Sequence, residues 1–188
     1  MLHRLAFALL VMLAACPQAA DAARTMRPPR FVVCMAPPED CTKLVVDTIA
    51  EAYREVLVQA YGFTSCTIIE ALVRAKKRGA EVRVLLDKSN AHQSKAAVIS
   101  YLRAAGIEPK IDAPPGIAHR KVIIVDRNIV LSGSMNFTCA PKKRNVEVVE
   151  VTRGRKHAKP YIAGWHERDA VSKPAPPTRS DLPLRCRC

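Results

Sequence analysis

His119 and Lys121 stand two residues apart at the head of an apolar run, and Ser134 and Asn136 stand two apart at the foot of the next. Residues i and i+2 of an extended chain share a face, so each pair points one way. The runs Lys121–Asp126 and Ile129–Ser132 read as the strands of a hairpin joined through Arg127 and Asn128. A two-residue turn there fixes the register, with Lys121 opposite Ser134 and His119 opposite Asn136. An imidazole, an ammonium, a hydroxyl and a carboxamide then meet at one end of a sheet, and Gly133 lets the backbone come close. Imidazole can attack phosphorus or move a proton, and the other three groups can hold anionic oxygens. The set describes a phosphate site.

Such a hairpin needs a scaffold, and the rest of the chain alternates strand and helix signals. Phe31-Val32-Val33 is a short strand. Thr42 is expected to cap a helix running through Leu44, Val45, Thr48, Ile49, Ala52 and Tyr53. Val56–Tyr61 reads as a buried strand, and Thr67 opens a second helix closed by Lys76-Lys77-Arg78-Gly79. Glu81–Asp87 is a strand, and a third helix is expected from about Gln93 to Ala105, stopped by Gly106. After the hairpin, Asn145–Val151 reads as a strand and Pro160 to about Ala170 as a helix with its proline near the first turn. This order implies an α/β fold, a mixed β-sheet flanked by helices on both faces. The Pro-rich basic tail, 172–188, is expected to be unstructured.

Thirty basic against seventeen acidic residues give the 188-residue chain a formal charge of +13, which points to a polyanion: nucleic acid or an anionic membrane surface. Aromatic residues make up only 5%, which argues against a single-strand binder built on stacked bases. Residues 1–22 have the form of a secretory signal: Arg4, an apolar stretch from Leu5 to Ala15, and a small-x-small site at Ala20-Asp21-Ala22. That stretch is too short for a bilayer span. Leu13-Ala14-Ala15-Cys16 offers a rival lipoprotein reading, with Pro17 against it. Either way the expected location is periplasmic or secreted, with a catalytic domain over 23–171. Six cysteines besides Cys16 suit an oxidising compartment. Cys34 and Cys41, flanking a turn-rich loop, are the preferred pair, and the partners of Cys66, Cys139, Cys186 and Cys188 stay open.

The string His119-x-Lys121, Asp126, Gly133-Ser134-x-Asn136 resembles the HKD motif of the phospholipase D superfamily. Its surroundings, with Gln59–Thr64, Ala75–Gly79 and Asn145-x-Glu147, look like the small bacterial secreted endonucleases of that superfamily, over roughly Phe31 to Arg168. Met135 stands where an aromatic is more usual, and Val148 where many relatives carry asparagine. The resemblance implies covalent catalysis. One neutral histidine attacks phosphorus, and a second, protonated, releases the leaving oxygen and then activates water. It also implies roles for Lys121, Ser134 and Asn136 in charge stabilisation, for Glu147 in orienting His119, and no metal or other cofactor.

Asp126 completes the motif and is counted with this catalytic set, although a carboxylate at a hairpin corner usually caps backbone N–H groups. Lys142, Lys143, Arg144 and Arg153 follow the site in sequence and are expected to steer phosphates. His157-Ala158-Lys159 repeats the HxK spacing, but Gly164 sits where the aspartate belongs and no Gly-Ser-x-Asn follows. One motif against two required histidines implies a homodimer with a composite site. The expected activity is a metal-independent, sequence-non-specific endonuclease acting on DNA and conceivably RNA. Phospholipid hydrolysis and catalytically idle nucleic-acid binding are the alternatives. The first of these would want an apolar acyl-chain pocket, and no segment shows one clearly.

Overall fold

Val56, Leu57 and Val58 are apolar without alternation, as are Val84, Leu85 and Leu86, so these strands must be covered on both faces. A computed structural model, describing residues 30–92, 96–139 and 145–178, shows how. In chain order the elements are β1 (Phe31–Ala36), α1 (Cys41–Ala50), β2 (Glu55–Ala60), α2 (Cys66–Lys77), β3 (Glu81–Asp87) and α3 (Ala96–Ala104). There follow β4 (Lys110–Asp112), β5 (Lys121–Val125), β6 (Ile129–Gly133), β7 (Glu147–Arg153), α4 (Arg155–Val171) and β8 (Lys173–Pro174). The strands form one mixed sheet ordered β1-β7-β6-β5-β2-β3-β4-β8. β2–β3 and β3–β4 are parallel, and the other neighbours are antiparallel.

The expected α/β architecture is thus found. α1, α2 and α3 cover one face, burying Val45, Ile49, Ile69, Leu72, Ile99 and Leu102 with Ile123, Leu131 and Val151 of the sheet. Among the described residues α4 alone covers the other, burying Ala158, Ile162 and Trp165 against Leu57, Leu85, Ile124 and Val130. Trp165 is fully buried, its Nε1 donates to Val58 O at 3.1 Å, and the Arg83 guanidinium lies 4.5 Å from its ring centre. Arg168 pairs with Asp112, and Asp169 with Arg83 and Lys110, so ions lock the end of α4 to β3 and β4. Burial of side chains the size of Trp165 and Ile162 contributes roughly 1.5–3 kcal/mol each. The carboxylates of these pairs are buried or nearly so, where desolvation offsets much of the Coulombic gain, so packing holds the helix and the ions set its register.

Several local expectations need correction. α1 is capped by Asp40, whose carboxylate accepts from Thr42 N at 3.1 Å; Thr42 lies inside the helix, which ends at Ala50. Pro160 lies beyond the first turn of α4, which begins at Arg155; packing outweighs the one backbone hydrogen bond it removes. The tail is not wholly irregular: Lys173–Pro174 adds an edge strand to β4, where a residue without N–H is tolerated. The hairpin slips by one residue: Val125 faces Ile129 and Val122 faces Ser132, leaving Asp126, Arg127 and Asn128 in the loop. Asp126 and Arg127 both take left-handed conformations there, φ 50° and 55°. The Cys34–Cys41 disulfide is present and ties the end of β1 to the start of α1. Cys66 and Cys139 are also disulfide-bonded. The signal segment, Cys16, Cys186 and Cys188 lie outside the described residues, as does the expected start of the third helix.

Candidate active site

β5 enters the sheet at Lys121, paired to Ala60 of β2, and Tyr61 N donates to Arg120 O at 3.1 Å just before it. One turn of chain earlier, Asp87 at the end of β3 accepts from Ala118 N at 2.8 Å and from Ser89 N at 2.8 Å. Burial alone would raise the pKa of this carboxyl. The Ser89 and Ala118 N–H groups, the Ser89 hydroxyl and the nearby Lys88 charge outweigh it and hold Asp87 below the usual carboxylate value. His119 is therefore presented from a segment clamped on both sides, and its side chain is exposed.

Lys121 is buried, only 6% exposed. Its Nζ lies 2.9 Å from His119 Nε2 and donates to His119 O at 3.0 Å. Burial pushes its pKa below the ordinary lysine value, and the Glu147 carboxylate partly opposes that shift. Tyr61 frames the pair. Its ring meets the imidazole edge-on at 4.7 Å between centres and lies 5.3 Å from the ammonium.

Gly133 ends β6 so close to β7 that a Cβ would fall 2.1 Å from Val148 O. Only glycine permits that approach. Just beyond it Ser134 N donates to Val148 O at 3.0 Å, Ser134 Oγ donates to Glu147 Oε2, and Val148 N donates to Ser134 Oγ at 3.0 Å. Asn145 Nδ2 donates to Glu147 Oε1 at 3.3 Å. The hydrogen bonds of Glu147 thus go to Ser134 and Asn145, not to His119, while its charge reaches Lys121. Asn136 and Glu147 line one small cavity, and the Asn136 Oδ1 is buried without a hydrogen bond among the described residues. Gly62 makes room for this loop: a Cβ there would lie 3.3 Å from Asn136 Cβ and 2.8 Å from Thr138 Cγ2.

His119, Lys121, Ser134 and Glu147 are therefore gathered through a chain of contacts, with Asn136 beside them, although the expected cross-strand pairs are not the ones found. Ser134 and Asn136 lie past the end of β6, so a one-residue slip in the ladder does not carry them to the wrong face. Asp126 does not join the cluster. At the far end of β5 its carboxylate accepts from Tyr53 N, Arg54 N and Glu55 N at 2.8–2.9 Å. Arg153, opposite Ile129 at that same far end, pairs with Glu51 at 2.6 Å. Lys142, Lys143 and Arg144 lie outside the described residues. His157 and Lys159 sit exposed on α4. Sequence reasoning missed Tyr61 and Asp87. Tyr61 stood within a stretch carrying the resemblance, but only the fold brings its ring to His119.

Residues 45–167 match the family described as "Cardiolipin synthase, PLD-like domain". A phospholipase D of Rickettsia prowazekii is 44% identical over 139 residues, 74% of this chain and 67% of that protein. A mitochondrial cardiolipin hydrolase of Xenopus tropicalis is 30% identical over 128 residues, 66% of this chain and 60% of that one. Among solved structures, Nuc from Salmonella typhimurium, a phospholipase D family member, is 34% identical with a TM-score of 0.73. The match covers 77% of this chain and 96% of Nuc. NucT from Helicobacter pylori, at 22% identity and a TM-score of 0.69, shares the fold over 77% of this chain and 98% of its own.

Proposed function

The chain belongs to the phospholipase D superfamily of phosphodiesterases, and from that premise we propose that it is an exported, sequence-non-specific endonuclease. The observation that carries this reading is an exposed His119, with exposed Arg120 next to it, on a chain of charge +13. An exposed nucleophile on a strongly basic chain suits a phosphate backbone, whereas an acyl chain needs an apolar channel. Contacts confined to phosphates carry no sequence information, so cleavage is expected to be non-specific and strongly salt-dependent.

His119 attacks phosphorus, forming a P–N bond as the P–O bond to the leaving group breaks. A second histidine gives that oxygen its proton, then takes one from water as the phosphohistidine is hydrolysed and His119 is regenerated. Lys121, Ser134 and Asn136 receive the phosphoryl oxygens, and Glu147 holds Ser134 in place. The second histidine comes from a second copy of the chain, across a two-fold axis. A hybrid dimer with one His119→Ala chain is then nearly inactive, and half the wild-type rate in that hybrid means each chain works alone.

The second reading, phospholipid hydrolysis, is favoured by the 44% identity to a protein named phospholipase D. Incubation in EDTA with plasmid DNA, RNA and phosphatidylcholine vesicles separates the two. Cut nucleic acid with intact lipid supports the nuclease; the reverse result replaces it with the lipase; abolition by EDTA with rescue by magnesium overturns the covalent-histidine route.

A further inference from the structure

The loop that carries Ser134 and Asn136 continues to Cys139, and nothing in the proposed chemistry uses Cys139 or Cys66. Both are disulfide-bonded, while Cys34 and Cys41 are bonded to each other. Their segments run side by side. Phe63 and Phe137 form a parallel bridge, and Thr64 N and Ser65 N both donate to Phe137 O, at 2.8 and 2.9 Å. Cys139 N donates to Thr64 Oγ1 at 3.3 Å, and Cys139 Sγ lies 3.1 Å from Thr64 O. Cys66 is buried as the first residue of α2, a helix anchored through Ile68, Ile69 and Leu72.

We infer that Cys66 and Cys139 are bonded to each other and act as positioning residues, fastening the Ser134–Asn136 loop to the rigid start of α2. The loop needs such a tie. Asn136 Oδ1 makes no hydrogen bond among the described residues, so its aim depends on where the loop is held and on the space left by Gly62. Hydrogen bonds reach the loop at Ser134 and Phe137, and a covalent link at Cys139 adds a further tie. Groups that stabilise developing charge must be held within a fraction of an ångström, so loosening this loop lowers turnover before it unfolds the domain. Oxidation then becomes a condition for full activity. The turnover part rests on the phosphodiesterase reading; the pairing does not.

Peptide mapping of the full chain under non-reducing conditions is expected to recover Cys66 linked to Cys139. Either cysteine linked elsewhere, or both as free thiols, overturns the pairing. Turnover is read on bis(p-nitrophenyl) phosphate in a Cys34→Ala/Cys41→Ala background. Dithiothreitol gives the bond two electrons and two protons, leaving two thiols and its own cyclic disulfide. The expected result is a fall in kcat of about tenfold or more, with KM little changed. Adding Cys66→Ala/Cys139→Ala to that background gives the low rate from the start, with no further response to reductant. An undiminished kcat with both thiols freed overturns the positioning role. Amide exchange on the otherwise wild-type chain supplies a readout independent of activity and of that background. Reduction is expected to speed exchange across 134–139 while α2 and β2 stay protected. Unchanged exchange in that loop, or loss of protection throughout the domain, goes against the proposal. Should no phosphodiester be cut at all, the enzymatic reading fails while the map and the exchange still decide the staple.

Discussion

The strands β5, β6 and β7 have two ends, and the polar residues at them live under different rules. At the far end Asp126 gives both oxygens to three backbone N–H groups, and Arg153 pairs with Glu51 through Nη2 while its buried Nε and Nη1 make no hydrogen bond among the described residues. At the near end His119 is exposed, Lys121 is buried with its charge disfavoured, and Asn136 Oδ1 has no hydrogen bond among the described residues. A carboxylate matched to internal N–H donors stabilises a fold; an exposed imidazole beside a buried ammonium is available to a ligand. Asp126 belongs to the recognised motif by sequence and to the scaffold by contacts. Membership of a motif does not by itself make a residue chemical.

The contrast can be broken most sharply at His119. His119→Ala is expected to lower kcat/KM by roughly four to six orders of magnitude, with an unchanged melting temperature because the side chain is exposed. A residual rate near wild type would move the nucleophile elsewhere. Lys121→Met, which fills the same buried space without charge, is expected to cost about 10²–10³ in kcat. It should also remove an alkaline limb from the rate profile. Burial lowers the Lys121 pKa, so the ammonium is lost at a pH below the ordinary lysine value, and activity that needs it falls there.

At the far end the expected effect changes kind. Asp126→Ala leaves three N–H groups to water in place of their acceptor and should destabilise the domain by about 1–2 kcal/mol in urea unfolding, with kcat per folded molecule preserved. Loss of turnover at unchanged stability would return Asp126 to the chemistry.

The smallest effect is expected at Asp87. Its folded pKa is depressed, so its contribution is present above the unfolded carboxyl pKa and drains away as pH falls through the lower folded one. Asp87→Asn should flatten that acid limb in melting temperature against pH; an identical limb in both proteins would mean other carboxylates set it.

The layered architecture was legible because continuous apolar runs and amphipathic helices leave few alternatives. Glu81–Asp87 matched β3 end to end, closed off by Gly79 before it at φ 100°. The hairpin register was not legible. Asp126 is drawn out of the ladder by Tyr53, Arg54 and Glu55 N–H groups more than seventy residues away in sequence, which local turn chemistry cannot show. β8 was hidden for a related reason: Pro174 argues against a strand except at an edge, and edges are decided by the whole sheet. Within the site, the residue types were readable from spacing. The framing by Tyr61, the clamp by Asp87 and the partners of Glu147 exist only after β2, β3 and β7 come together.

Trp165 is the single tryptophan of the chain, and it sits wholly inside the layer between α4 and the sheet. Its emission is therefore a built-in optical label for one face of the molecule. Undocking of α4 would change its colour and intensity at once, since the indole would lose Val58 O and the Arg83 guanidinium together. The opposite layer, where α2 and the Asn136 loop lie, has no such lamp. Fluorescence and far-ultraviolet dichroism followed side by side would thus report whether the two layers melt in step.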